Sequence, residues 1–451
     1  MRRILIIAAS DSGGGAGIQA DIKAVTLYGC HAMTAITALT VQNTIGVENV
    51  LPVAASFVED QIRAVLSDIG ADAVKTGMLL NTGIIRAVVQ MLTRFPVPRV
   101  IVDPVMKAKS GHSLLDPAAV QCLKRELFPC AFMVTPNLDE AAELCGFAVD
   151  SDDALREAAR MIHALGPRYV LLKGGHRRGD CCDVLYDGSV FTEFDGERID
   201  TKNTHGTGCT LASAIAAGLA QGMDPCTAVR RAKEFVTTAI RCAASLGAGH
   251  GPTNPFANVQ RDAQIMACVR ELEAAYAQLE QARIGTLIPE VQSNFGYALA
   301  GAQTPDDVVA FPGRIVRLRD TIARVAAPEP GASRHIAKVI LTAHAADPSI
   351  RSAMNIAFSD ALLRRCRDRG LRIAEFSRTD EPSDVQHIEG STLEWGTRQA
   401  IDAFGGVPDI IADRGGMGKE PMIRVLGTDP NDVARKVIRI HERQHRAQDR
   451  C

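Results

Sequence analysis

Between Thr201 and Gly222 the chain reads TKNTHGTGCTLASAIAAGLAQG. A glycine-rich turn, Gly206-Thr207-Gly208, runs directly into an alanine- and leucine-rich stretch with the composition of a helix. The start of such a helix offers unpaired backbone N–H groups and the positive end of the helix dipole. That arrangement can hold the charge that builds on a transferring phosphoryl group. Cys209 follows the turn, where a thiol pKa is typically lowered, and a thiolate there can take a proton from a substrate hydroxyl. A glycine-x-glycine turn beside a buried cysteine is a weak signal alone. A second glycine-rich segment, Asp11-Ser12-Gly13-Gly14-Gly15-Ala16-Gly17-Ile18-Gln19-Ala20-Asp21, follows the first apolar run. Its glycines let the backbone approach a ligand. It lacks the Gly-Lys-Ser/Thr ending of a Walker A loop. Alone, it reads equally as a strand-to-helix turn with Asp21 as a surface carboxylate.

The C-terminal half holds three further candidates. FPGRI places Arg314 after a strand and a tight turn. SRHIA places His335 where another strand is expected to begin. DRGGMGKEP, from Asp413 to Pro421, is a charged glycine-rich loop in which backbone N–H groups, Arg414 and Lys419 can form a phosphate nest. For Arg314 and His335 singly, a structural role fits as well as a catalytic one.

The elements that must position these residues show in the periodicity. Ile4–Ala8, Ala73–Thr76, Val100–Asp103, Phe132–Thr135 and Tyr169–Lys173 read as short buried strands, alternating with helical patterns such as Ile18–Leu27, Ser56–Leu66 and Asp153–Leu165. Such alternation predicts an α/β domain, a mostly parallel sheet with helices on both faces. The Gly-, Pro- and Asn-rich segment 247–262 reads as a linker, which ends a first domain at 255 and leaves 256–264 as the connection, and a helix is expected from Ala263 to about Arg283. A second α/β domain is expected over 265–451, with strands near Val308–Phe311, Ala337–Leu341, Ile373–Phe376 and Ile410–Ala412. No internal repeat or low-complexity tract is present.

The composition fits this reading. The 451 residues suit two or three domains, and 46% hydrophobic with 23% charged residues is ordinary for a globular protein. A net charge of -2 argues against a nucleic-acid partner. The 12 cysteines are irregularly spaced and contain no C-x-x-C, so zinc sites and a disulfide framework are not expected. Scattered thiols suit a reducing cytoplasm. The apolar run Ile4–Ala9 is too short for a signal peptide, and no run approaches the ~20 residues of a membrane helix.

Seven segments, DSGGGAGIQAD, ALTVQNT, KTGML, DPVMKAKSG, TPNLDEA, LKGGH and TKNTHGTGCT, occur in this order over about residues 1–255. Together they resemble the hydroxymethylpyrimidine/phosphomethylpyrimidine kinases of thiamine synthesis, in the ribokinase-like superfamily. The resemblance implies two successive phosphorylations by ATP. Asp21 and Gln42 would hydrogen-bond the aminopyrimidine, whose ring nitrogen beside an exocyclic amine suits an acceptor and an amide. Met78 would pack beside the ring. Lys107 and Lys109 would hold the substrate phosphate in the second reaction. Asn137 and Glu140, with Asp103 assisting, would organise Mg2+ around the nucleotide phosphates through water. Lys173 and the Gly206-Thr207-Gly208 turn would contact ATP. Many sugar kinases of the superfamily carry aspartate where this chain has Cys209. Cysteine there resembles the pyrimidine kinases and some pyridoxal kinases, so pyridoxal is an alternative substrate. A homo-oligomer is expected, as dimers are common in the family.

The FPGRI, SRHIA and DRGGMGKEP segments, with VQSNFGYAL and RSAMNIAFSD, resemble the ThiN-type thiamine-phosphate synthases over about residues 265–445. That resemblance implies condensation of hydroxymethylpyrimidine diphosphate with thiazole phosphate, releasing pyrophosphate. Arg314 would stabilise the leaving group, His335 would assist it, and Asn355 would hydrogen-bond a substrate. Related domains also act as ligand sensors in regulators, which makes a thiamine-phosphate-binding module the competing reading.

Overall fold

A computed structural model describes residues 1–106, 115–174, 182–378, 391–416 and 419–442. The chain divides into two compact units, Met1–Val259 and Gln260–Cys451.

In the first unit nine strands form one sheet: β1 Arg3–Asp11, β2 His31–Gln42, β3 Val47–Pro52, β4 Ala73–Thr76, β5 Val100–Val102, β6 Met133–Val134, β7 Tyr169–Leu172, β8 Asp183–Tyr186 and β9 Phe191–Phe194. Their order is β3-β2-β1-β4-β5-β6-β7-β8-β9. From β2 through β7 every neighbouring pair is parallel, and β3, β8 and β9 add antiparallel edges. The helices are α1 Gly17–Leu27, α2 Ala55–Asp68, α3 Thr82–Arg94, α4 Pro117–Cys122, α5 Leu138–Cys145, α6 Asp152–His163, α7 Thr207–Ala220 and α8 Pro225–Arg241.

Strand side chains alternate between the two faces, and here both faces are buried. Ile4, Ile6, Ile101, Met133 and Leu171 pack with α1, α7 and α8. Leu5, Ile7, Val100, Val134 and Val170 pack with α2 through α6. This is why the strands read as unbroken apolar runs. Helix α7 is buried along nearly its whole length, which explains its lack of charged residues.

The second unit contains α9 Ala257–Gln281, which begins just before the boundary, and β10 Phe295–Ala298, β11 Val308–Ala310, β12 Ile315–Leu318, β13 Thr321–Arg324, β14 Glu329–Pro330, α10 Arg334–Ala346, β15 Ser352–Ala357, α11 Asp360–Asp368, β16 Ile373–Phe376, α12 Ser391–Phe404, β17 Ile410–Asp413, β18 Met422–Gly427 and α13 Pro430–His441. Seven strands form a sheet in the order β14-β11-β10-β15-β18-β17-β16, and β12 with β13 is a separate hairpin. Among the described residues, only β16 and β17 pair in parallel within the larger sheet. One face packs on α9, α11 and α13 and the other on α10 and α12.

Two expectations are corrected. The run Ala337–Leu341 is not a strand but the middle of α10. Its buried Ile336, Ala337, Ile340 and Ala343 recur at helical spacing. The expected linker is not free chain either. Residues from Ala257 onward are helical, and the preceding segment is bound into the first unit. His250 N–H donates to Thr44 O (2.8 Å), His205 N–H to Gly251 O (3.0 Å) and Asn254 N–H to Ala239 O (2.8 Å).

Candidate active site

Helix α7 opens at Gly206, which has φ 80°. A Cβ there would sit 1.8 Å from Gly15 O, so the two glycine-rich loops touch where no side chain fits. Thr207 Oγ1 donates to Thr204 O (2.7 Å). Gly208 leaves space for the neighbouring side chains: a Cβ on it would lie 3.3 Å from Lys173 Nζ and 3.8 Å from Asp103 Oδ2.

Asp103, Thr135 and Lys173 each stand just past the C-terminal ends of β5, β6 and β7, where open parallel sheets bind their ligands. Lys173 Nζ donates to Asp103 Oδ1 (2.9 Å), as does Thr135 Oγ1 (3.2 Å). Burial alone would raise the Asp103 pKa, but Lys173 and Lys75 outweigh it and hold it below the usual carboxylate range. Beside them, Asn137 and Glu140 form a reciprocal cap on α5: Asn137 Oδ1 accepts from Glu140 N–H and Glu140 Oε2 from Asn137 N–H, both at 2.8 Å. Glu140 therefore has a capping role, yet it is buried rather than on the surface. Burial pushes its pKa up to about 7, against the pull of Lys173. Among the described residues no cluster of three His, Cys, Asp or Glu side chains is arranged to hold a metal. The donors present fit a cation held mainly by phosphate and water, with Glu140 and Asp103 at its border.

Cys209 differs from expectation. Its thiol is pushed up to about 11 by burial, with Asp21 and Asp103 adding to the effect and Lys75 opposing it. The helix start does not compensate for desolvation, so the ligand-free protein carries a thiol rather than a thiolate. Asp21 is also corrected. It is fully buried, and its carboxylate accepts from Lys75 Nζ (2.9 and 2.8 Å) and from Ser213 Oγ (2.8 Å) of α7. Burial alone would discharge Lys75, but Asp21 holds it charged. Asp21 thus clamps α1, β4 and α7 together and presents no face to a ligand.

On the other side of the Gly206 turn, Gln42 ends β2. Its amide lies 3.1 Å from His205 Nε2, which is 3.0 Å from Asp11 Oδ2. Asp11 accepts from the N–H groups of Gly13 (2.8 Å), Gly15 (3.0 Å) and Ala16 (2.7 Å). Burial would raise the Asp11 pKa, but His205 and these N–H groups lower it. Met78 is buried beside Ala9 and Ala38, and its carbonyl accepts from Thr37 Oγ1 (2.7 Å). Lys107 and Lys109 lie outside the described residues. Sequence reasoning missed His205, Asp11 and Lys75. His205 stands inside THGTGCT one position before the turn, but its partner Asp11 is 194 residues away.

In the second unit, Arg314 has φ 68°, is exposed, and donates to Val291 O. His335 is not at a strand start but in the first turn of α10, after the N-cap Ser333, and is exposed. Asn355 is corrected from substrate contact to scaffold. It is buried, Oδ1 accepts from Asn294 N–H (2.6 Å) and Nδ2 donates to Gln292 O (3.1 Å). Asn294 Oδ1 accepts from Ser333 Oγ (2.8 Å), and the Glu420 carboxylate accepts from the N–H groups of Glu290 (3.1 Å) and Val291 (3.0 Å). Segment 290–294 therefore joins Arg314, Asn355, the start of the His335 helix and the end of the glycine-rich loop. Arg414 pairs with Asp360 (3.0 Å) and Glu375 (3.5 Å). Lys419 and Gly416 bond backbone to backbone, while Met417 and Gly418 lie outside the described residues. A cluster the sequence did not reveal backs the loop: buried Asp413 accepts from Arg378 (2.7 Å) and Arg424 (2.7 Å).

The family model described as "Phosphomethylpyrimidine kinase" matches residues 11–254, and that described as "Thiamine-phosphate synthase ThiN" matches residues 271–439. The chain is 54% identical over 252 residues to the "Thiamine biosynthesis bifunctional protein ThiED" of Geobacter sulfurreducens, covering 56% of this chain and 51% of that one. It thus spans about half the length of that relative. It is 49% identical over 258 residues to a "Hydroxymethylpyrimidine/phosphomethylpyrimidine kinase" of Mycobacterium bovis, covering 56% of this chain and 94% of that one. Among solved structures, an ADP complex of Bacillus subtilis pyridoxal kinase matches with a TM-score of 0.55 and 39% identity, covering 57% of this chain and 99% of that one.

Proposed function

Because the chain belongs to the phosphomethylpyrimidine kinase family, we propose that its first unit phosphorylates hydroxymethylpyrimidine and then its monophosphate from ATP. The second unit then condenses the diphosphate with thiazole phosphate. The observation that carries the kinase reading is the meeting of the α7 start with Lys173 and Asp103 at the ends of the parallel strands.

In this reading the N–H groups at the α7 start, from Thr207 to Cys209, receive the transferring phosphoryl group, with Thr207 N–H turning from Thr204 O (3.4 Å) to do so. Lys173 moves from Asp103 to the nucleotide phosphates as a point charge. Mg2+, when bound with ATP, neutralises phosphate charge, and Asn137, Glu140 and Asp103 border it. Gln42 and Met78 hold the pyrimidine, and Lys107 and Lys109 hold its phosphate in the second step. The substrate hydroxyl oxygen bonds to the γ-phosphorus as the bond to ADP breaks. Cys209 in its thiolate form takes the hydroxyl proton.

In the second unit, loss of pyrophosphate leaves a cation-like methylene carbon that the thiazole nitrogen attacks. Arg314, with an exposed guanidinium beside segment 290–294, stabilises the departing charge. His335 donates to it, while Arg414 and Lys419 hold a phosphate. The family description favours synthesis over sensing. The 39% identity to a pyridoxal kinase makes pyridoxal a second candidate substrate for the first unit. The exposed Leu39, Val41 and Leu51 on β2 and β3 support a homo-oligomer.

The test is a mass-spectrometric product assay with hydroxymethylpyrimidine, ATP, Mg2+ and thiazole phosphate. Thiamine phosphate is the expected product. Pyrimidine diphosphate accumulating without it would reassign the second unit to binding. Absence of any pyrimidine phosphorylation would overturn the kinase reading and direct attention to pyridoxal.

A further inference from the structure

The contacts around Gln42 ask more of two atoms than they can supply: a lone pair of His205 Nε2 and a second proton of Thr40 Oγ1. His205 Nε2 lies 3.0 Å from a carboxylate oxygen of Asp11 and 3.1 Å from the Gln42 amide. A carboxylate only accepts, so Nε2 must carry a proton, whether the imidazole is neutral or charged. The end of the Gln42 amide facing His205 must therefore also accept. The opposite end meets the same constraint. Thr40 Oγ1 has one proton and lies 3.0 Å from Ser10 O and 3.1 Å from the amide. The Ser10 carbonyl can only accept and takes that proton, so Thr40 can offer Gln42 only a lone pair.

Both conflicts arise with the Gln42 NH2 toward His205 (3.1 Å) and its oxygen toward Thr40 (3.1 Å), and both vanish when the amide is turned over. The Gln42 oxygen faces His205 Nε2–H, and its NH2 donates to Thr40 Oγ1. The two ends of a carboxamide have nearly the same shape, so protons rather than packing decide which end lies where. We propose that Asp11 and His205 act as positioning residues that set this orientation and thereby make Gln42 a reader of 4-aminopyrimidines. This inference rests on the kinase reading above. In the set orientation the spare lone pair lies on the His205 side and the spare N–H on the Thr40 side. An exocyclic amine beside a ring nitrogen meets that pair as donor and acceptor. A 4-oxo ring, with C=O beside N–H, presents the reverse pattern and is rejected. A site built around hydrogen bonds discriminates strongly against such mismatches.

The surroundings hold the imidazole in place. A Cβ on Gly15 would lie 2.4 Å from His205 Cδ2, so the glycine loop leaves the ring its position. The His205 backbone is tied on both sides, to Gly251 O (3.0 Å) and by Thr253 N–H (3.2 Å). Its side chain is 15% exposed, enough to border a ligand.

The experiment compares hydroxymethylpyrimidine with its 4-oxo analogue on the full chain and on His205→Leu and His205→Gln. Leucine removes the donor. Glutamine restores an N–H near the same position. In His205→Leu the preference for the amino substrate should fall by about tenfold or more, with KM for the pyrimidine raised and KM for ATP unchanged. His205→Gln should recover most of the preference. An unchanged preference in the leucine variant, or equal losses toward pyrimidine and ATP, would overturn the inference while leaving the kinase reading intact. If the leucine variant does not fold, failure of the glutamine variant to keep the preference overturns it. An unmodified chain that does not phosphorylate the pyrimidine would remove both readings.

Discussion

At the residue scale, the protonation of Cys209 decides how the proposed phosphoryl transfer would work. A thiol at a helix start is ordinarily acidified, but here burial beside two carboxylates raises it to about 11. Below that pH the thiolate fraction of the free protein grows about tenfold for each pH unit. If the thiolate is the base, kcat/KM for hydroxymethylpyrimidine should rise with unit slope in log rate between about pH 7 and 9. A flat profile measured by a coupled ADP assay would show that the sulfur need not ionise. Asp21 and Lys75 illustrate a different use of charge. Both are fully buried, and such a pair contributes little net stability while removal of one partner is costly. Their bond fixes three elements, so Asp21 is kept by architecture rather than by contact with substrate. Its position in a glycine-rich, ligand-like segment hides this, because burial depends on α7, far along the chain.

At the element scale, the second sheet is joined at one corner by Asp409. Its carboxylate accepts from Arg372 N–H (3.0 Å) and Nε (3.1 Å) ahead of β16, and pairs with Lys436 of α13 (3.0 Å). Burial would raise its pKa, but Arg372 and Lys436 bring it down to about 2. In the unfolded chain the carboxyl takes up its proton at higher pH. The stabilisation is therefore full above about pH 5 and lost as pH falls toward 2. Asp409→Asn should lower stability by roughly 1–2 kcal/mol at pH 7, with the difference closing near pH 2. Urea midpoints across that range check it, and a pH-independent difference would contradict it. Much at this scale was legible in the sequence. Ala73–Thr76 and Ile373–Phe376 are strands at the residues expected, because short, mainly apolar segments alternating with helical patterns point to strands even where one charged residue interrupts them. Ala337–Leu341 misled because a five-residue, mainly apolar segment is too short to show a helical period. The partners of Gln42 were illegible for another reason: they are set by which strand ends the sheet brings together.

At the scale of the whole molecule, two compact units carry the kinase and the proposed synthase. In the proposed function the product of the first unit is the substrate of the second, and a shared chain would raise its local concentration. Cys209→Ala should reduce phosphorylation by about 10²–10⁴-fold while leaving condensation of supplied pyrimidine diphosphate near its original rate. Loss of both activities together would show that the substitution disrupts folding or that the units share a site.

The long sequence separations in the first unit bear on how it is made. Strand β1 precedes β2 through β9 in the chain yet lies inside the sheet between β2 and β4. Asp11 waits 194 residues for His205, and Asp21 waits 192 for Ser213. Until α7 has left the ribosome, the emerging chain has an incomplete glycine-loop contact and a sheet face covered by α1 without α7 and α8. Non-local pairings of this kind are slow and expose aggregation-prone surface to chaperones. Catalytic competence should therefore appear late and at once, when α7 docks, so that a nascent kinase has no partly active form.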